Sequence, residues 1–302
     1  MEVLARLLAL LALLLVGTGL RRTGILDAAR TARLNAVAYY VALPALILVS
    51  TYDRSIGELL SAALLAGLLI VLFATALLAW VVHRNRASGP RRSVAVVQSY
   101  HSNLGYLGLP LVAATFGPDV TAIASVVLGV VSLVQLPLTI LVLTGVNGAG
   151  TSIRRELKRL ASNPVLAALI AGLTVGSIGV SVPSPIATGL DVVGALALPL
   201  ALLCVGASLQ VDLPTTDLGA TASVVALKVG CMPALAWGVF SLLEVDLATF
   251  TAGVVMLGTP TAVSMYVFAS ELGGDREFAS LNVFATTLVS IATLFALITL
   301  VG

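Results

Sequence analysis

Apolar residues dominate this chain in long unbroken runs, and short polar loops separate them. A segment that crosses the hydrocarbon core of a bilayer needs about 20 mostly apolar residues. Ten runs approach or exceed that length: 2–20, 34–51, 60–82, 93–115, 121–144, 164–181, 187–209, 218–242, 248–270 and 280–300. The sixth is the shortest. The pattern predicts an all-α integral membrane protein of ten transmembrane helices, with no room left for a soluble domain.

One run has the wrong contents for an uninterrupted span. From Ser99 to Pro110 it reads Ser-Tyr-His-Ser-Asn-Leu-Gly-Tyr-Leu-Gly-Leu-Pro. Ser99, His101, Ser102 and Asn103 put polar side chains near mid-span, and Gly105 and Gly108 loosen the backbone behind them. Pro110 has no N–H and should leave the carbonyl of Tyr106 without its helical partner. Bare backbone and polar side chains persist at membrane depth only under a cover of protein or in a watery cavity. The run is therefore expected to be a broken helix lining a substrate site.

The prolines also divide the chain into halves. Ala42-Leu43-Pro44 in the second run matches Ala197-Leu198-Pro199 in the seventh, and Pro110 in the fourth matches Pro260 in the ninth. Matching order and nearly equal spacing give a first five-helix repeat over 1–144, a linker loop over 145–163 and a second repeat over 164–302. Five is odd, so the second repeat enters the membrane from the opposite side. Inverted repeats with interrupted helices at matching positions are the sequence sign of a secondary transporter, with its site at the repeat interface.

Composition agrees. Only 10% of residues are charged and 59% are hydrophobic, against about 25% charged in soluble chains; mean hydropathy is +1.10. The charges form a topology code. Thirteen of the sixteen Lys and Arg lie on odd-numbered loops: Arg21, Arg22, Arg30, Arg33, Arg84, Arg86, Arg91, Arg92, Arg154, Arg155, Lys158, Arg159 and Arg276. Arg54 is on an even loop, and Arg6 and Lys228 are within runs. Positive loops stay cytoplasmic, which puts both termini outside a multi-pass protein of the cell membrane. The seventh loop, with Asp212 and Asp217 and no basic residue, does not add to this. The net charge of +2 does not point to nucleic acid. Met1-Glu2 supplies no basic leader, and Arg21-Arg22 stand where a small-residue cleavage site would be wanted, so the first run is expected to stay as a span. Cys204 and Cys231 read as buried thiols with no disulfide or metal role.

Three passages carry a resemblance to the auxin efflux carrier family, within the wider group of bile acid/sodium symporters: Asn103-Leu-Gly-Tyr-Leu-Gly-Leu-Pro110, Val205-Gly-Ala-Ser-Leu209, and Pro260-Thr-Ala-Val-Ser-Met-Tyr-Val-Phe-Ala-Ser-Glu-Leu-Gly-Gly-Asp275. The resemblance implies a scaffold of helices 1, 2, 6 and 7, and a mobile transport domain of helices 3–5 and 8–10. It also implies that broken helices 4 and 9 cross at mid-membrane and move substrate by an elevator mechanism. It places a substrate carboxylate at the crossing, met by an Asn seven residues before the fourth-helix proline; Asn103 and Pro110 keep that spacing. The short linker is similar to that of microbial and endomembrane members.

The expected substrate-binding set is Asn103, Gly105, Thr259, Thr261 and Ser264, with helix breaks at Pro110 and Pro260 and kinks at Pro44 and Pro199. Thr259, Thr261 and Ser264 either meet substrate or re-satisfy backbone groups, such as the Met256 carbonyl, that Pro260 frees. Lys228 lies about 15 Å into its span, at about 1.5 Å per residue. A charge there is a functional hypothesis by default: it attracts an anion, stands in for a coupling cation, or is simply held by carbonyls. His101 is either a structural residue or a carrier of coupling protons. No cofactor or metal is expected, though coupling to H+ or Na+ is open, as is a homodimer. Glu271, Asp275 and the Arg154–Arg159 cluster read as helix-end and loop polarity. An enzyme needs a catalytic constellation at depth, and no paired carboxylates or metal-spaced histidines lie in a run. A small organic anion is the expected substrate; a sodium symporter for bile acid-like anions and an anion channel are the alternatives.

Overall fold

The computed structural model describes residues 2–85, 88–150, 158, 160–208 and 218–302, with side chains from Leu11 onward. Arg6, Arg86, Arg154, Arg155, Arg159, Leu209, Asp212 and Asp217 fall outside the described residues or side chains. The described chain is helical, and a single isolated bridge between Ser102 and Thr261 is its one β-type pairing.

The first half contains α1 (Glu2–Arg22), α2 (Ala28–Val37), α3 (Leu43–Thr51), α4 (Ile56–Leu59), α5 (Ala62–His83), α6 (Gly89–Gln98), α7 (Leu109–Thr115) and α8 (Pro118–Asn147). The second contains α9 (Pro164–Ser177), α10 (Ser184–Ala195), α11 (Ala197–Ser208), α12 (Leu218–Val225), α13 (Met232–Leu242), α14 (Leu247–Leu257), α15 (Met265–Glu271) and α16 (Arg276–Val301). Side-chain caps fix several starts: Asp27, Ser61, Asn163, Asp246 and Asp275 each accept a backbone N–H from the first turn that follows, satisfying donors that no helical carbonyl can reach. Among the described residues, six helical stretches are long and apolar enough to cross a membrane: Ala28–Thr51, Ala62–His83, Pro118–Asn147, Ser184–Ser208, Leu218–Leu242 and Arg276–Val301. Leu104–Thr115, Pro164–Ser177 and Leu247–Leu257 are apolar but shorter.

Several boundaries differ from expectation. The sixth run stops being helical at Ser177 instead of 181, because Gly179 takes a left-handed φ of 69°. The N–H of Val180 then returns to the carbonyl of Val175, a closure glycine permits without Cβ strain. At its other side, α8 runs on to Asn147, so the linker begins later than 145.

The prolines are handled in a way the sequence did not suggest. Three wide π turns, Ala38–Ala42, Leu104–Gly108 and Ala226–Cys231, stand two residues before Pro44, Pro110 and Pro233. In each, the next N–H bonds five residues back: Leu43 to Ala38, Leu109 to Leu104, Met232 to Leu227. The extra residue shifts the ladder by one just ahead of each proline, inside the continuous helical stretches Ala28–Thr51, Leu104–Thr115 and Leu218–Leu242, and so eases the clash of the ring with the preceding turn. Pro110 is accordingly not where the fourth helix breaks. Pro199 is in the first turn of α11, just past the interruption at Leu196 between α10 and α11.

The helices pack in two groups. In one, α1 lies along α11, α3 packs on α9 and α10, and α2 packs on α11. A Cβ on Gly17 would lie 2.4 Å from the Leu203 carbonyl oxygen, and one on Gly206 2.1 Å from that of Leu14. Small residues at such crossings let two backbones touch. In the other group, α8 packs on α6, α7 and α14, α5 on α13, and α16 on α12 and α15. The groups meet where α7 and its preceding π turn face α11, where α1 faces α16, and where α3 faces α8.

Candidate functional site: the crossing of two broken helices

The fourth run leaves helical geometry after Gln98 and regains it at Leu104; the ninth does so between Leu257 and Met265. At their midpoints the two unwound strands run antiparallel. Asn103 N–H donates to the Pro260 carbonyl at 2.9 Å, and Ala262 N–H donates to the His101 carbonyl at 3.2 Å. Each strand thus satisfies backbone groups of the other, which is what makes non-helical chain tolerable at this depth.

Side chains from neighbouring helices complete the accounting. On the first strand, the Gln135 amide of α8 accepts from Ser102 N–H at 3.1 Å and donates to Ser102 C=O at 3.3 Å. Thr139, one turn on, bonds His101 Nδ1 at 2.8 Å and the Tyr100 hydroxyl at 3.3 Å. On the second strand, the Thr259 hydroxyl donates to the Met256 carbonyl at 2.8 Å, the backbone role foreseen for a threonine beside Pro260. Thr261 N–H reaches the Thr286 hydroxyl at 3.4 Å. Thr261 Oγ1, fully buried, has no hydrogen-bond partner. Between α6 and α16, Gln98 Nε2 donates to the Ala279 carbonyl, and Asn282 Nδ2 donates to Gln98 Oε1 at 2.8 Å.

Beside the crossing is a cavity of about 40 Å³, lined by Asn103, Leu107 and Leu111 of the fourth run, Thr287, Ser290 and Leu294 of α16, and apolar side chains of α1 and α11. It therefore sits where the two packing groups meet. At about 10–15 Å³ per water centre, it has room for some three waters or one carboxylate group. The Asn103 side chain is 3% exposed and makes no hydrogen bond to described residues. Just after it, the N–H groups of Leu104 to Leu107 precede the first bond of the resumed helix, Gly108 N–H to the Asn103 carbonyl at 3.0 Å. Unbonded N–H groups and the positive end of a helix dipole favour an anion.

The predicted site residues do not all gather here. Asn103 lines the cavity. Thr259, Thr261 and Ser264 do not; Ser264 stands at the start of α15, where its carbonyl accepts from Val267 and Phe268. Gly105 faces Leu43 and Leu128, with room for a Cβ at 3.7 and 3.9 Å, whereas Gly108 is pressed against Met256 and Thr259. Pro260 is in the break itself. His101 is at the crossing, held by Thr139. Lys228 is in the π turn before α13, fully buried, its Nζ donating to the Leu257 carbonyl at 2.9 Å and lying 3.2 Å from Met232 Sδ. Of the cysteines, Cys204 is buried and Cys231 only half-buried; both are free. Gln98, Gln135, Thr139, Asn282, Thr286, Thr287 and Ser290 were missed by the sequence reading. A signal existed for the amides, since Gln and Asn within a span are expensive unless paired.

A family model described as "Membrane transport protein" matches residues 2–298. The chain belongs to this family, the auxin efflux carriers. An "Uncharacterized transporter" of Methanothermobacter thermautotrophicus is 26% identical over 291 residues, covering 95% of this chain and 94% of that one. A protein of Rhizobium meliloti named "Putative malonate transporter" is 23% identical over 277 residues, covering 89% and 86%. As an auxin efflux carrier family member, the protein is a multi-pass membrane transporter.

Proposed function

We propose that this transporter is a secondary carrier of a small organic anion, a carboxylate or auxin-like compound, working by elevator-type alternating access. The observation that carries the reading is the Asn103 amide, buried yet without a hydrogen-bond partner among the described residues, at the start of a half-helix and lining a cavity between two packing groups. An amide N–H and free backbone N–H groups are donors for a carboxylate; Thr287 also brings a hydroxyl to the cavity, while that of Ser290 donates to the Thr287 carbonyl at 2.7 Å. The name of the Rhizobium relative supports an organic anion.

In this reading the ten runs form two inverted five-helix repeats, 1–144 and 164–302. The group containing α1, α2, α3, α9, α10 and α11 is the scaffold, and the rest is the transport body. The packing just described supports the division, and the crossing of the fourth and ninth runs supports the repeat. The basic odd-numbered loops support extracellular termini. Thr261 and Ser264 reach the substrate only if the second strand moves during the cycle.

The test is a thermal-shift screen of purified protein against acetate, lactate, malonate, succinate and indole-3-acetate, with and without sodium and at two pH values. A ligand of the folded state raises the melting temperature. Asn103→Ala is expected to abolish that shift and counterflow in proteoliposomes while melting as wild type does without ligand, since the fold uses only its backbone. Unchanged transport by the variant overturns the assignment. Unsaturating ohmic current identifies a channel, and an absolute sodium requirement identifies a symporter.

A further inference from the structure

Arg54 stands on an even-numbered loop, against the charge code that the other loop arginines obey. Its main chain belongs to the first group of helices. Arg54 N–H donates to the Thr51 carbonyl at the end of α3 at 3.2 Å, and a Cβ on Gly176 of α9 would stand 2.1 Å from the Arg54 carbonyl oxygen. Two residues on, Ile56 N–H donates to the Ser177 hydroxyl at 3.1 Å. The guanidinium leaves this group: Nη2 donates to Asp119 Oδ1 in the first turn of α8, while Asp53 Oδ1 lies 3.7 Å from Nε. Among the described ion pairs, Arg54–Asp119 is the one that joins the two packing groups; Arg30–Asp27 is local to the start of α2, and Arg91–Asp275 links α6 to the cap of α16. A second polar contact follows the same seam, with Ser50 Oγ of α3 and Ser125 Oγ of α8 2.9 Å apart.

We propose that Arg54 and Asp119 form an ionic latch, on the side opposite the basic loops, that holds the moving body at one station along the fixed one. The inference rests on the elevator reading above. Arg54 is pinned to α9 by its main chain, and Asp119 travels with α8. Displacing α8 along α3 by a turn or more, about 5.4 Å each, therefore parts the two charges. Neither is then left bare. Asp119 stays at the N-terminal end of α8, where the helix dipole favours an anion, and Arg54 keeps Asp53. The latch stabilises one station without blocking departure from it. Arg54 is 33% and Asp119 66% exposed, so the pair is open to water and its hold is weakened by salt.

The test reads the distance between two spin labels in protein reconstituted in nanodiscs. One label is at Ser181→Cys, exposed on the loop after α9, and the other at Leu247→Cys, exposed at the start of α14. The background carries Cys204→Ala and Cys231→Ala. With the pair intact, the station of this structure is expected to dominate over displaced ones at low salt. Asp119→Asn lowers that ratio roughly two- to fivefold, the scale of an exposed ion pair. Raising potassium chloride from about 20 to about 500 mM does the same with the pair intact and leaves Asp119→Asn unmoved; this titration needs no substitution at the latch. Arg54→Asp alone, which gathers three carboxylates, falls below Asp119→Asn, and Arg54→Asp combined with Asp119→Arg restores both the ratio and its response to salt. Two populations that neither salt nor Asp119→Asn shifts overturn the latch and leave the carrier standing. A single distance, unmoved by salt, by the variants and by any anion that raises the melting temperature, overturns the elevator reading and the latch with it.

Discussion

The two unwound strands at the crossing look alike in outline and are held in opposite ways. The first, at His101 to Asn103, is gripped from outside: one Gln135 amide both accepts from and donates to the Ser102 peptide, as a neighbouring strand would. The second is held from within and at its start, by the Thr259 hydroxyl on Met256 and by Lys228 on Leu257. Further along, beyond its two backbone bonds to the first strand, it is met among the described residues by a 3.4 Å contact from Thr261 N–H to the Thr286 hydroxyl, and the Thr261 hydroxyl is unsatisfied. The helix resumed after the first strand runs from Leu104 to Thr115, and the one after the second only from Met265 to Glu271. The difference leaves the first strand fixed by its neighbours and the second with more room for rearrangement.

That asymmetry is sharpest at the clamps. Gln135→Leu strands two buried backbone groups at about 1–3 kcal/mol each, so a loss of about 2–4 kcal/mol is expected in denaturant titrations in detergent. Thr286→Val removes one long contact and should cost about 1 kcal/mol or less; equal losses at the two sites would erase the distinction between the strands. The next effect concerns how closely the strands approach. A Cβ on Gly108 would stand 2.9 Å from Met256 Sδ and 3.2 Å from Thr259 Cγ2, so Gly108→Ala should cost about 1–2 kcal/mol of overpacking. Gly105→Ala meets only ordinary contacts and should stay within about 0.5 kcal/mol of wild type.

A smaller effect tells the two leading helices apart by pH. Asp246 caps α14 through Thr249 N–H at 3.0 Å and the Thr249 hydroxyl at 2.5 Å, whereas Ser88 before α6 makes no side-chain cap. Burial pushes the Asp246 carboxyl up, but the Thr249 hydroxyl and the backbone N–H groups around the cap outweigh it and hold the carboxyl below its usual 3.8. A depressed folded-state value means the carboxylate stabilises the fold at pH values above 3.8 and loses that contribution as pH falls through the lower value. Asp246→Ala should cost about 1 kcal/mol at neutral pH, and the gap to wild type, followed by melting temperature, should close under acid. Smallest of all, Thr261→Val replaces an unsatisfied hydroxyl by an isosteric methyl and should be neutral or slightly stabilising. Counterflow should survive it; loss of counterflow at unchanged stability would put the second strand on the substrate path.

Much of this architecture could be read along the chain, because membrane spans are long and apolar and Asn103 sits among polar residues where none belongs. The break in the fourth run was misplaced for a definite reason. Proline signals a missing donor, but the π turn at Leu104–Gly108 re-registers the ladder ahead of Pro110, so the rupture falls seven to eleven residues earlier. The same device before Pro44 and Pro233 shows how little a proline says about where a membrane helix opens. Gln135 and Thr286 could not be ranked from sequence, since a lone polar residue in an apolar run has no periodicity to reveal its partner. Thr287 and Ser290 were hidden for another reason: the cavity wall they form belongs to a helix without a break.

The contact of α1 with α11 has a mechanical meaning. Where Gly17 and Gly206 bring one main chain against the other, no flexible side chain lies between them to be compressed or to swing aside. Thr18 fastens the same joint by donating its hydroxyl to the Gly206 carbonyl at 2.9 Å. Such a joint has low compliance, and a thrust applied to α11 by α7 is passed to α1 instead of being absorbed. In the elevator cycle proposed above, one body slides usefully only against another that does not yield, and the two glycines would make this pair of helices the rail.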